Sequence, residues 1–101
     1  MGLSIRLDPQ ARQDLTAIRA YLLSQAGPQP AKRVGSYLQR RIRSLANNPR
    51  LGIVTSEPRI RVLPPTRYPY RIFYTITPDA IVILHIRHSA RRDPDFTNLS
   101  S

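Results

Sequence analysis

The chain has 101 residues, a size for one domain that buries roughly two-thirds of its unfolded surface around a single core, and its formal net charge is +10. Lys32 is the only lysine among 16 basic residues, so arginine sets the charge against six acids; a GC-rich genome accounts for part of that bias, and the rest points to a polyanionic or acidic partner that guanidinium groups can grip with paired hydrogen bonds. The absence of cysteine excludes disulfides, thiolate metal sites and a thiol nucleophile, and neither a signal peptide nor a run approaching the about 18 apolar residues of a membrane span is present, so a soluble cytoplasmic protein is expected.

Leu3-Ser4-Ile5-Arg6-Leu7 alternates apolar with polar and predicts a short first strand. Asp8-Pro9 stops it and starts a helix, Asp8 as N-cap and Pro9 at the first helical position, where no N–H is missed. Ala11, Leu15, Ile18 and Leu22 recur at helical spacing, and Ala26 continues the stripe. Gly27-Pro28 ends this helix, with Pro28 and Pro30 framing a tight link to a second one. There Ala31, Val34, Leu38, Ile42 and Leu45 form the core stripe, while Arg33, Arg40, Arg41 and Arg43 take other angles as a solvated face. Asn47-Asn48-Pro49 closes it, and so short a connection demands an antiparallel helical hairpin.

Residues 49–58 carry turn formers without periodicity and predict a loop. A strand over 59–63 follows, Pro64-Pro65-Thr66-Arg67 breaks it, and 68–76 is the longest strand. Thr77-Pro78-Asp79-Ala80 turns into the last strand over 80–87. Beyond residue 92 the tail 93–101 has only Phe96 and Leu99 as large apolar groups and is expected to be loosely held. The order is β-α-α-β-β-β in a single domain over 1–92.

The strands alternate charge with apolar bulk, as in Arg59-Ile60-Arg61-Val62-Leu63 and Tyr70-Arg71-Ile72-Phe73-Tyr74, which places arginine on a sheet face. Tyr70, Ile72, Tyr74 and Ile76 form the bulkier set and are expected to meet the helices; Arg71, Phe73 and Thr75 face the other way. An uninterrupted hairpin pairs Ile72 with His85, placing Val82, Leu84, Ile86 and His88 on the Arg71 face and sending His85 and Arg87 towards the helices. That is awkward for Arg87, and the alternatives are an edge position where its stem covers apolar surface or a bulge that shifts the register.

Taken together, Asp14-Leu15 with Ile18 and Tyr21, Leu45 with Pro49, Arg61-Val62-Leu63, Tyr68-Pro69-Tyr70-Arg71-Ile72-Phe73-Tyr74, and Ile81 to His88 closing in Arg91-Arg92-Asp93-Pro94 resemble the RelE/ParE superfamily of bacterial type II toxins over nearly the whole chain. The resemblance implies an α+β fold, a helical hairpin packed on a twisted antiparallel sheet, and neutralisation by a cognate antitoxin. One branch of that superfamily cleaves messenger RNA on the ribosome without a metal, and for it the matching positions are Arg59, Arg61, Arg71 and Arg91, with His88 left as the group of suitable pKa because no tyrosine follows Tyr74. The ParE-like branch poisons DNA gyrase and needs only a docking surface; the His88 to Pro94 ending looks more like it, and this branch is preferred. An inactive relative that only binds antitoxin is a further alternative.

Antitoxin or target binding is assigned to Arg61, Arg71, Phe73, Leu84, Ile86, His88, Arg91 and Arg92, as an apolar groove rimmed by arginine that takes an acidic segment. His85, inside an apolar run, reads as a hydrogen-bonded structural histidine. No cofactor, metal site, small-molecule ligand or membrane partner is expected: the two histidines lie three apart with no carboxylate cluster, and no phosphate-binding glycine loop occurs. A plain nucleic-acid-binding module is a third reading, disfavoured for want of an exposed aromatic ladder or a groove-reading helix.

Overall fold

A computed structural model describes residues 2–96. The elements are β1 (Ser4–Leu7), α1 (Pro9–Ala26), α2 (Pro28–Ser44), β2 (Ile53–Val54), β3 (Arg61–Leu63), β4 (Tyr70–Ile76) and β5 (Ala80–His88). They form one five-stranded sheet in the order β1-β5-β4-β3-β2, with the helical hairpin on one face. The sheet is mixed rather than purely antiparallel, because β1 runs parallel to β5. The whole first helix separates β1 from the rest of the chain, so no hairpin constraint forces antiparallel pairing. Two further differences are local: β2 is a two-residue strand inside the expected loop, and the third strand starts at Arg61, Ile60 being held in a turn by its N–H bond to Glu57 O.

Asp8 caps α1 as its composition requires, its carboxylate accepting the Gln10 N–H at 3.0 Å, while its own N–H donates to Ile83 O at 2.9 Å and continues the β1–β5 seam. Gly27 alone links the helices, at φ 91°, a left-handed value that favours glycine. Pro28 and Pro30 lie in the first turn of α2 instead of outside it, where a missing N–H costs nothing. The α1 stripe ends at Leu22, and Ala26 is exposed. On α2 every expected core residue is buried, and Tyr37 joins them with its hydroxyl 2.7 Å from Thr66 Oγ1.

The hairpin β4–β5 contains the correction that matters most. Tyr74 pairs with Ile83 as an uninterrupted hairpin requires, but Phe73 pairs with His85, leaving Leu84 as an extra residue in β5. Past this bulge the faces exchange: Ile86 and His88 pair with Ile72 and Tyr70 on the helix side, and Arg87 pairs with Arg71 on the opposite side. Of the two alternatives for Arg87, the bulge is the one found. A second, smaller cluster of Ile60, Phe73 and Leu84 occupies the helix-free face, with Val62, Val82 and Phe96 packed on it.

Tyr74, fully buried, fastens the long loop to the sheet: its hydroxyl donates to Pro49 O at 2.7 Å and accepts the Gly52 N–H at 2.8 Å. Gly52 is required there, since a Cβ would stand 2.7 Å from the Tyr74 ring. Tyr74→Phe is therefore expected to cost about 1–3 kcal/mol in urea denaturation, by stranding the buried Gly52 N–H and the partly buried Pro49 carbonyl. A loss under about 0.5 kcal/mol would show that other contacts hold the loop.

Candidate functional site

Two surfaces carry the residues of interest, one on each side of the sheet beyond the bulge. On the helix-free face, the Arg71 guanidinium is ion-paired with Asp93 and donates to Arg91 O at 2.8 Å. Arg87 Nη1 reaches Arg92 O at 3.4 Å. Pro94 is buried, and the Phe96 ring lies 5.6 Å from Phe73 and 5.7 Å from His85, centroid to centroid. Residues 93–96 thus cross this face and cover it, held by an ion pair at one end and an aromatic contact at the other; of the tail expected to be loose, residues 97–101 lie outside the described part.

On the other side, α1 and the end of β5 enclose a cleft of about 630 Å³. Ala17, Ile18 and Tyr21 from α1 face Tyr70 and Ile86 from the sheet, and Arg87, His88 and Arg91 stand at the mouth. The cleft exists because β1 pairs with β5 only as far as Ile83, leaving the outer edge of β5 open beyond it. Asp14 of α1 closes part of that edge by accepting the Ile86 N–H at 2.9 Å. Alternation along an antiparallel strand turns the His88 N–H to the same outer side. The His88 ring stands edge-on to Tyr70 at 5.5 Å, and its Nδ1 accepts the Ala90 N–H at 3.1 Å. Burial raises the Tyr70 phenol pKa, with a smaller contribution from Tyr21.

His85 sits between the two surfaces. Its Nδ1 lies 3.5 Å from Asp14 Oδ2, too far for a hydrogen bond, and has no other partner among the described residues. Burial pushes its pKa below the ordinary value; Asp14 opposes this, and Arg87 reinforces it.

A family model for the "ParE toxin of type II toxin-antitoxin system, parDE" matches residues 5–93. The chain belongs to the ParE toxin family. A Caulobacter vibrioides protein named Toxin RelE3 is 38% identical over 91 residues, which span 88% of this chain and 97% of that one. Among solved structures, the chromosomal ParDE system from P. aeruginosa superposes with a TM-score of 0.77 at 24% identity, covering 85% of this chain and 95% of that one. The Mycobacterium tuberculosis RelBE2 toxin–antitoxin complex follows at 0.64 and 22% identity, covering 87% and 99%. These likenesses place the fold within the RelE/ParE superfamily, as its sequence resemblance implies.

In this ParE-family chain the arginines singled out from the sequence do not line one concavity. Arg61 pairs with Tyr74, hence lies on the helix side, and its Nη1 donates to Gly52 O at 2.7 Å; Arg71 lies on the opposite side. Arg59 is engaged by Glu57 at 3.0 Å in an exposed turn. Phe73 and Leu84 are buried under the tail, whereas Ile86 faces the cleft, so the expected groove of Phe73, Leu84 and Ile86 is divided by the sheet itself. His88 and Arg91 do meet, at the cleft mouth, while the Arg92 side chain is exposed beside them. Sequence reasoning missed Tyr21 and Asp14 as cleft residues; the available signal was an aromatic and an acid beside, not within, the α1 core stripe.

The buried histidine gives a pH dependence with a defined sign. A base whose folded pKa lies below its unfolded value takes up its proton more readily once unfolded, so His85 stabilises the fold fully above its ordinary pKa of 6.5 and progressively less as pH falls below it. The melting temperature is expected to drop between about pH 7.5 and about pH 5, and His85→Gln to flatten that drop. An unchanged slope in the variant would assign the acid sensitivity to other groups.

Proposed function

We propose that this type II toxin acts on DNA gyrase in the cytoplasm, stalling replication, and that a cognate antitoxin with an acidic segment neutralises it. The observation that carries this reading against ribonuclease chemistry is the separation of Arg61 from Arg71 across the sheet, with Arg71 engaged by Asp93. Metal-free cleavage of RNA needs a base, an acid and cations converging on one phosphorane. Here the candidate cations lie on different faces, and His88, the remaining acid–base group, opens into the cleft on the helix side, away from Arg71. A gyrase poison needs only a docking surface. The family match over 5–93 supports the same branch.

Incubating the purified protein with gyrase and plasmid tests this directly: supercoiling is expected to fail and cleaved DNA to accumulate, while message on programmed ribosomes stays intact. Cut message with unaffected gyrase would reverse the assignment in favour of a ribosome-dependent endoribonuclease. Inactivity in both assays, with antitoxin still bound, would leave the chain as an antitoxin-binding relative.

The neighbouring ParDE and RelBE2 systems motivate the antitoxin, and the cleft supplies a seat for it. Apolar and aromatic walls with arginine at the mouth suit an extended segment carrying an apolar anchor and flanking acids. The outward His88 N–H offers such a segment a backbone bond. His88→Pro removes that N–H at a position facing away from β4, so antitoxin affinity is expected to fall about tenfold in His88→Pro and in Tyr21→Ala, with His88→Ala much closer to the parent in titration calorimetry. Equal affinities in all three variants would exclude this cleft as the seat while leaving the toxin's target unaddressed.

A further inference from the structure

A second concavity differs from the cleft in every chemical respect. It lies on the outer side of α2, a groove of about 420 Å³ between that helix and the turn at residues 65–68. Gln29, Lys32, Arg33, Ser36 and Arg40 line it from the helix, and Arg67 and Tyr68 from the turn. Four cations therefore converge with three other polar side chains, Gln29, Ser36 and Tyr68, and among the described residues no carboxylate lies in the lining. The helical spacing accounts for this: Lys32, Ser36 and Arg40 recur at intervals of four, and Arg33 flanks them, so one face of α2 projects three of the charges. Arg67 completes the set from outside the helix. Its guanidinium carbon lies 5.7 Å from the Tyr68 ring centroid, and that ring is braced edge-on by buried Tyr37 at 5.0 Å, so the fourth cation is positioned by packing. The N-terminal half of α2 lies in this groove, and the positive end of the helix dipole adds to the field.

We propose that this groove binds the phosphate backbone of double-stranded DNA. The chemistry separates it from a peptide site. A protein segment needs an apolar anchor in a desolvated pocket, and among the lining residues only Tyr68, half-buried beside Arg67, has an aromatic or aliphatic side chain without a formal charge to serve as one. A polyphosphate needs hydrogen-bond donors and positive charge with no base-reading element, and the groove supplies donors from Lys32, Arg33, Arg40 and Arg67 with Ser36 and Gln29 beside them. Arg41, the next residue on α2, is held away by its bond to Pro64 O at 2.6 Å. Binding is sequence-independent and salt-sensitive. A toxin acting at gyrase meets DNA already held by its target, so such a groove raises its residence there; the inference itself stands on the groove and does not require that target.

Fluorescence anisotropy of the full chain with a random-sequence DNA duplex, in the absence of gyrase, tests it. Binding in the micromolar range is expected at low salt, weakening on a log–log plot with a slope of about −3 to −4, the counterion release of four phosphate contacts. Arg33→Glu with Arg40→Glu is expected to weaken binding at least about tenfold and to remove about two from the slope. Arg12→Glu with Arg50→Glu changes net charge equally at exposed positions outside the groove and is expected to cost much less. Equal losses in the two double variants would assign the binding to overall charge and overturn the proposal, as would absence of binding at low salt. Displacement of the duplex by polyglutamate as effective as by unlabelled DNA of equal charge would also overturn it, in favour of an acidic protein partner. None of these outcomes depends on whether the toxin inhibits gyrase.

Discussion

One extra residue in β5 decides what each side of this molecule presents. Without the bulge at Leu84, strict alternation would drive Arg87 into the helix-covered core and carry Ile86 out onto the opposite face. With it, Ile86 extends the core to the end of the sheet, His88 meets Tyr70, and Arg87 lies beside Arg71. A buried guanidinium without a partner would cost several kcal/mol, whereas a bulge forfeits about one ladder hydrogen bond, so the exchange is favourable. The cleft beside α1 and the covered face behind it both follow from that shift.

The surplus of arginine is resolved in an economical way. Six acids cannot pair with fifteen arginines, and backbone carbonyls engage several of these guanidinium groups. Arg41 donates to Pro64 O, Arg61 to Gly52 O, Arg71 to Arg91 O and Arg87 to Arg92 O, each joining an element of regular structure to a loop or to the tail. A carbonyl satisfies donors without neutralising the charge. These arginines therefore stabilise connections and still contribute to the positive potential of the whole surface, while Lys32, Arg33, Arg40 and Arg67 line one groove.

Most of the architecture was legible from the residues because it depends on local rules. The Asp8-Pro9 start, the helical stripes through Leu22 and Leu45, and the helix-facing set Tyr70, Ile72, Tyr74 and Ile76 all follow from capping chemistry and periodicity, whereas Ala26, expected to continue the first stripe, is exposed. What was not legible depends on pairing between distant segments. The parallel β1–β5 partnership, the Arg61–Tyr74 register that separates Arg61 from Arg71, and the unpaired Leu84 are set by tertiary packing, for which a run such as Ile81 to Ile86 carries no mark. The groove on α2 was hidden for a similar reason: its helical arginines read as an ordinary wet face until Arg67 arrives from another part of the chain.

The far end of the sheet differs again. β2 is an outermost strand of two residues, and Ile53 and Val54 are 61% and 47% exposed on its opposite faces, with Leu51 at 49% just before them. Such a border is adhesive towards its own kind, and its brevity together with a charge of +10 on every copy keeps neighbours apart. That mutual repulsion is screened in concentrated electrolyte, which leaves the shortness of the strand as the remaining obstacle to pairing between copies.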